Sequence, residues 1–352
     1  MPDALSAPSY EGFMVSVAKG KPTRLDSPRV HDMVRGLHEA EVAWLNFEVD
    51  NLETDAQRIA SILGFSGTLV ESIMRTPLSE YEDRDTELGL LLPMVRIENL
   101  DVTTQPLLVL VRDNFVLTMY TRGKVTRFRK FARYAETAMR KIPQDYTTAD
   151  KLTILLTRLL DENNTRNFDG IRRIEDAGEK IAGDLIREDL DRRAMAPRIY
   201  HMKRALIQYL DALWASLDVV QSLRHGDAEL VSDDEQLLAR VALLGDDVQR
   251  HIQLSEHMSE VLSGGLEVMQ SIYNNQLQQL NNRMSFVITW LTVLGTAVLV
   301  PNTLATVLSA APPELQITDP TKFLALMVAS TLASTLVAWL WVRRRAPIPA
   351  LD

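Results

Sequence analysis

Residues 284–313 read MSFVITWLTVLGTAVLVPNTLATVLSAAPP, and residues 323–342 read FLALMVASTLASTLVAWLWV. Neither stretch contains a charge. At about 1.5 Å per residue each is long enough to cross a hydrocarbon core of about 30 Å. A short polar connector separates them, and Arg343-Arg344-Arg345 follows the second. This is the pattern of a two-pass membrane hairpin closed by a basic stop. Arg283 precedes the first span. The positive-inside rule therefore puts both termini in the cytoplasm of a cell (inner or plasma) membrane and turns only the connector outward.

Working outward, the chain has 352 residues, 46% of them hydrophobic, with net charge −9 and no cysteine. The roughly 280 residues before the hairpin suffice for a substantial core. The start MPDALSAPSYEG has no apolar core segment, so no cleaved leader is expected. The lack of cysteine excludes disulfides and thiolate metal cages. The acidic balance argues against a nucleic-acid partner. No P-loop, GxSxG or GxGxxG occurs, so no enzymatic constellation is visible and no covalently bound cofactor is expected.

Residues 1–145 read as a mixed α/β domain. Strand character marks Phe13–Val17, Val42–Val49, Leu88–Val95, Leu107–Val111 and Phe115–Tyr120; the last two flank Arg112-Asp113-Asn114, a hairpin signal. Glu53–Leu63 has helical spacing and stops at Gly64. Residues 146–283 read as helical, with segments at 149–160, 168–191, 198–224 and from Asp234 to the membrane. The last has no proline between Glu235 and Pro301; unbroken, it would approach about 100 Å. The chain then divides into a first span (284–311), a connector (312–321), a second span (322–342) and a basic tail (343–352). The fold class is α+β: a cytoplasmic α/β domain, a helical hairpin with a very long stalk helix, and two C-terminal spans.

The first span carries a polar stripe. Steps of three and four give Asn275, Gln278, Asn282, Ser285, Thr289, Thr292, Thr296, Leu299, Thr303 and Thr306. All but Leu299 are amides or hydroxyls, and polar groups in hydrocarbon face protein or water. Such residues also bond their own helix or glue helices together. Two spans cannot enclose a conduit, so a pore requires several copies around one axis, with the first span inside. Neutral oxygens suit a hydrated divalent cation such as Mg²⁺ held through its water shell. Leu299 would be an apolar constriction, and Glu314 and Asp319 outer rings of negative charge.

Together these features resemble the CorA superfamily of divalent-cation transporters, including the ZntB-type zinc transporters. Trp44-Leu45-Asn46-Phe47 resembles the family's second-strand segment and Asp113-Asn114-Phe115-Val116-Leu117-Thr118 its central hairpin. Asn282-Arg283-Met284 with Leu291-Thr292 resembles its entry to the first span. Pro301-Asn302-Thr303-Leu304 resembles its Pro-x-Thr step, and Pro313-Glu314-Leu315 its outer loop. The resemblance implies a homopentameric funnel in the lipid bilayer. It implies Mg²⁺, or a transition metal such as Zn²⁺, Co²⁺ or Ni²⁺, as permeant, and a regulatory divalent cation held by cytoplasmic acids; Asp246, Asp247, Glu256 and Glu260 on the stalk are candidates. The chain departs from the family at its hallmark. No glycine follows Gly295, so Gly-Met-Asn is absent, and Ala310-Ala311-Pro312 stands at the outer mouth. Two readings follow: a divalent-cation conductor, or a non-conducting ion-sensing or scaffold relative without the selectivity motif.

Overall fold

The protein is described by a computed structural model covering residues 10–123, 128–186, 195–225, 228–310, 312, 317 and 319–345. The N-terminal region builds one seven-stranded sheet. Its strands are β1 (Glu11–Ala18), β2 (Lys21–Asp26), β3 (Val42–Val49), β4 (Glu80–Arg84), β5 (Glu87–Glu98), β6 (Asp101–Arg112) and β7 (Phe115–Thr121), in the order β2-β1-β3-β7-β6-β5-β4. Only β3 and β7 run parallel; the other neighbours are antiparallel. Three short helices lie among the strands, α1 (Val30–Leu37), α2 (Leu52–Ile62) and α3 (Gly67–Ile73), and α4 (Arg129–Arg140) follows them.

Alternation along the strands creates two cores. Ala43, Leu45, Phe47, Leu108, Leu110, Leu117 and Met119 point to the face covered by α1–α3. Val15, Trp44, Leu90, Leu92, Val109, Val111, Val116 and Tyr120 point to the other, where they meet Phe128, just before α4, and Phe131 and Met139 of α4. Burial on both faces explains why β5 and β6 read as continuous apolar runs rather than alternating ones.

The helical region closes over that second face. It comprises α5 (Thr148–Ile186), α6 (Met195–His225) and α7 (Glu235–Ser309), followed by α8 (Pro320–Arg345). The segments expected at 149–160 and 168–191 form the single helix α5; beyond Ile186 the expectation lies outside the described residues. Leu152, Leu155 and Leu159 of α5, Val219 and Leu223 of α6, and Leu237, Val241 and Leu244 of α7 share one cluster with the sheet. No core boundary therefore falls at 145/146; the compact unit runs to Leu266, and residues 267–352 form a second.

The docking of α5 on β5 solves a backbone problem. Pro93 of β5 lies opposite Pro106 of β6, so neither offers an N–H to the ladder. On the other side of β5, past the end of β4, Asn167 takes the place of a strand: its Oδ1 accepts from the Val95 amide at 2.8 Å, and its Nδ2 donates to the Pro93 carbonyl at 3.0 Å. Asn163 Nδ2 donates to the same carbonyl at 3.2 Å. The Tyr209 hydroxyl of α6 donates to the main-chain oxygen of Asn167 at 3.2 Å. One buried asparagine thus links β5 to α5 and α6.

A second contact between α5 and α7 is titratable. Phe168 stacks on His251 with ring centroids 3.7 Å apart. Burial, opposed by the Asp247 carboxylate and reinforced by Arg250, holds His251 below its ordinary value. Asp161 of α5 has an exposed edge, yet desolvation raises its pKa, followed by the like charges of Asp247 and Glu162.

Three outcomes are expected. Replacing Asn167 by Leu removes its bonds to the Val95 N–H and the Pro93 carbonyl and costs about 1–3 kcal/mol in denaturant unfolding. An imidazole whose pKa is lower folded than unfolded stabilises the fold above about pH 6.5, and that stabilisation is lost as pH falls. Melting temperature should therefore drop between about pH 7 and pH 5, and His251→Phe should flatten that limb. Asp161 has the opposite sign: its raised pKa makes it destabilising once ionised, so Asp161→Asn should raise the melting temperature at pH 7 but not at pH 3.

Candidate functional site: the C-terminal helix hairpin

From Glu267 to Arg344 one described side chain, Val293, is buried, at 7% exposure. Leu291, Val298, Leu299, Leu324 and Leu332 are each at least 66% exposed. Two helices here are long and apolar enough to cross a membrane. So much apolar surface requires cover from lipid or from further protein.

The two helices pack on small residues. On α7 the partly buried line runs through Ala297, Pro301, Ala305 and Leu308; on α8 it runs through Met327, Ser330, Thr331, Ser334, Thr335 and Ala338. Small side chains let helix backbones approach closely. At 100° per residue, Thr292, Leu299, Thr303 and Thr306 fall within about 40° of a line on the opposite side of α7. All four are exposed in the single chain, as are Asn275, Gln278, Asn282 and Ser285. Thr289 and Thr296 are partly buried and sit to one flank, nearer α8. The physical reason is the spacing. Steps averaging less than 3.6 residues wind around a straight helix, here by on the order of 100° over the whole stripe.

Every threonine of the stripe bonds the carbonyl one turn back. Thr289 donates to Ser285 O, Thr292 to Ile288 O and Thr296 to Thr292 O, each at 2.8 Å. Thr303 donates to Leu299 O at 2.7 Å and Thr306 to Asn302 O at 2.8 Å. The hydroxyl hydrogens are thus engaged within the helix. What each threonine presents outward is an oxygen with free lone pairs, an acceptor rather than a donor.

At the outer end, Ala310 and Pro312 are described, whereas Ala311 and Glu314 lie outside the described residues. Asp319 caps α8: its Oδ1 accepts from the Thr321 hydroxyl at 2.7 Å and the Thr321 amide at 3.2 Å. These bonds, the hydroxyl first, lower its pKa, and Lys322 Nζ approaches the other oxygen at 3.5 Å. The capping role was missed from sequence, although Asp-Pro-Thr ahead of an apolar run is a helix-start signal.

Among the stalk candidates, Asp246, Glu256 and Glu260 face solvent. Asp247 is half-buried near Asp161 and His251, with Arg250 Nη1 at 3.4 Å. Among the described residues, no group of three or more His, Asp or Glu side chains gathers closely enough to hold a metal ion.

Comparison with known proteins completes the picture. No curated protein sequence matches the chain. The complete CorA magnesium transporter of Methanocaldococcus jannaschii superimposes with a TM-score of 0.67 at 17% identity, covering 95% of this chain and 98% of that one. The full-length CmaX protein gives a TM-score of 0.60 at 14% identity over 97% and 99% of the two chains. The ZntB cytoplasmic domain of Vibrio parahaemolyticus RIMD 2210633 gives 0.56 at 14% identity, covering 76% of this chain and 99% of that one. At these identities the likeness shows the fold. A family model described as CorA-like Mg2+ transporter protein matches residues 39–344. With the exposed hairpin and the sheet-and-stalk fold in place, the chain belongs to the CorA-like Mg2+ transporter protein family, whose members are membrane-embedded metal-ion transporters and not enzymes.

Proposed function

We propose that this protein conducts a hydrated divalent cation through a pore built by several copies, five by analogy with the family, with α7 lining the axis and α8 outside. The observation that carries the reading is the orientation of the stripe's hydroxyls. Their hydrogens are engaged by Ser285, Ile288, Thr292, Leu299 and Asn302 carbonyls, so the free face offers oxygen lone pairs. Acceptors without donors favour the water shell of a cation and disfavour an anion. Mg²⁺ keeps its waters, so contact with neutral acceptors fits it without direct ligation. The spans contain no His, Cys, Asp or Glu, which leaves no inner ligand set for a softer ion such as Zn²⁺.

In this reading Leu299, between Thr296 and Thr303, forms a dewetting constriction. Asn275, Gln278, Asn282 and Ser285 form the cytoplasmic entry. Ala310, Ala311, Pro312 and Glu314 form the outer mouth, with Asp319 contributing a carboxylate already shared with Thr321 and Lys322. Asp246, Glu256 and Glu260 are open to an ion shared with a neighbouring subunit, whereas Asp247 is engaged within its own subunit. Both termini lie in the cytoplasm, and the spans cover 284–311 and 322–342.

The second reading, a non-conducting ion sensor or scaffold, rests on one observation: no glycine follows Gly295, so the outer mouth lacks Gly-Met-Asn. Proteoliposome uptake separates the two. Mg²⁺ entry is expected, with Zn²⁺, Co²⁺ and Ni²⁺ as comparisons. Thr303→Val should slow entry about tenfold, equivalent to about 1.4 kcal/mol on the barrier. Absence of flux for all four ions from an intact assembly would establish the non-conducting reading instead.

A further inference from the structure

One flank of the hairpin carries a groove of about 620 Å³ between α7 and α8. Its α7 wall is Val293, Thr296, Val300 and Leu304; its α8 wall includes Ser330, Ser334, Val337 and Trp341. From Thr292 to Leu304 it runs for about 18 Å along α7, a little more than one leaflet of a hydrocarbon core of about 30 Å. The threonine and serine hydroxyls inside it bond their own helix carbonyls: Thr296 to Thr292, Ser330 to Met327 and Ser334 to Thr331. An apolar occupant therefore leaves none of these hydroxyl donors without a partner.

Its α8 wall does not stop at the membrane edge. Ser330, Ser334, Val337 and Trp341 follow steps of four, three and four, and the next step of three reaches Arg344. A face with this spacing is one continuous strip of helix. Arg344 is exposed and belongs to Arg343-Arg344-Arg345; Arg283, on the same side of the hairpin, is also exposed. An apolar channel one leaflet deep, with an indole near its end and a cation beyond it, matches an acyl chain beneath a negatively charged headgroup.

We propose that this groove binds an anionic phospholipid, with an acyl chain along Val300, Val337 and Trp341 and the phosphate against Arg344. The groove lies on the flank of α7 and shares Thr292 and Thr296 with the polar stripe, while Leu299 and Thr303 stand outside it.

The test uses the full chain in phosphatidylcholine vesicles, in a Trp290→Phe/Trp339→Phe background so that Trp341 reports on the membrane segment. Increasing fractions of brominated-chain phosphatidylglycerol or brominated-chain phosphatidylcholine are added, and tryptophan quenching is read. Half-maximal quenching is expected at a fraction of phosphatidylglycerol about fivefold lower than of phosphatidylcholine. Arg344→Gln, at an exposed position, should shrink that ratio toward one. Ala333→Phe fills the groove and leaves every arginine in place; it should abolish the ratio, whereas attraction of lipid to the basic tail alone would preserve it. Equal quenching by the two lipids, or a ratio unchanged in Ala333→Phe, overturns the proposal. So does efficient disulfide dimerisation of Ala333→Cys, which would show a second copy in the groove; the chain has no other cysteine to confuse that result.

Discussion

Apolar surface that one chain cannot bury by itself governs this structure. Between Glu267 and Arg344 the described side chains include one buried residue, Val293, while leucines and valines on every side remain open. Burying such a side chain is worth about 1.5–3 kcal/mol, so leaving dozens in water is untenable. Lipid can cover some of this surface. It cannot cover the row of hydroxyls and amides from Asn275 to Thr306 without loss, because polar groups avoid hydrocarbon. The same helix therefore calls for two environments, and the proposed assembly of identical spans in a bilayer would supply both.

The N-terminal unit is tied together around its β5–β6 pair. Past the end of β4, Asn163 and Asn167 partner the Val95 N–H and the Pro93 carbonyl from a helix that also packs on α6 and α7. On the same face Trp44 donates through Nε1 to Thr118 at 3.0 Å, and Thr118 donates to Asn46 at 2.8 Å, knitting β3 to β7 at the parallel pairing. The stalk helix begins inside this core, through Leu237, Val241 and Leu244.

Most of this was legible in the sequence where burial is strong. The strands at β1, β3, β5, β7 and the second half of β6 announced themselves through buried, mostly apolar runs; the polar start of β6 (DVTTQ) did not. The edge strands β2 (KPTRLD) and β4 (EYEDR) did not, because charged edges protect a sheet and erase its hydrophobic signal. Helix α5 was read as two pieces because Asn163, Asn164 and Asn167 break its apolar rhythm; Asn163 and Asn167 are buried for hydrogen bonding to β5, a demand only the fold reveals. The two spans were plain from length and charge alone. The stripe was visible as a spacing, but not that its hydroxyl hydrogens turn inward, nor that Asp319 is a helix cap. The lateral groove was invisible, since it needs α7 and α8 side by side.

The central claim is that the Leu299–Thr306 side of several α7 helices faces water. The natural absence of cysteine allows this to be tested position by position. Single cysteines at Leu299, Thr303 and Thr306, and at Val298 and Val307, would be exposed to a membrane-impermeant cationic thiol reagent in sealed proteoliposomes. Fast modification at 299, 303 and 306, slowed by millimolar Mg²⁺, with slow modification at 298 and 307, is the predicted result. Uniform rates around the helix, or no reaction at 299, 303 and 306, would contradict an aqueous axis lined by this face.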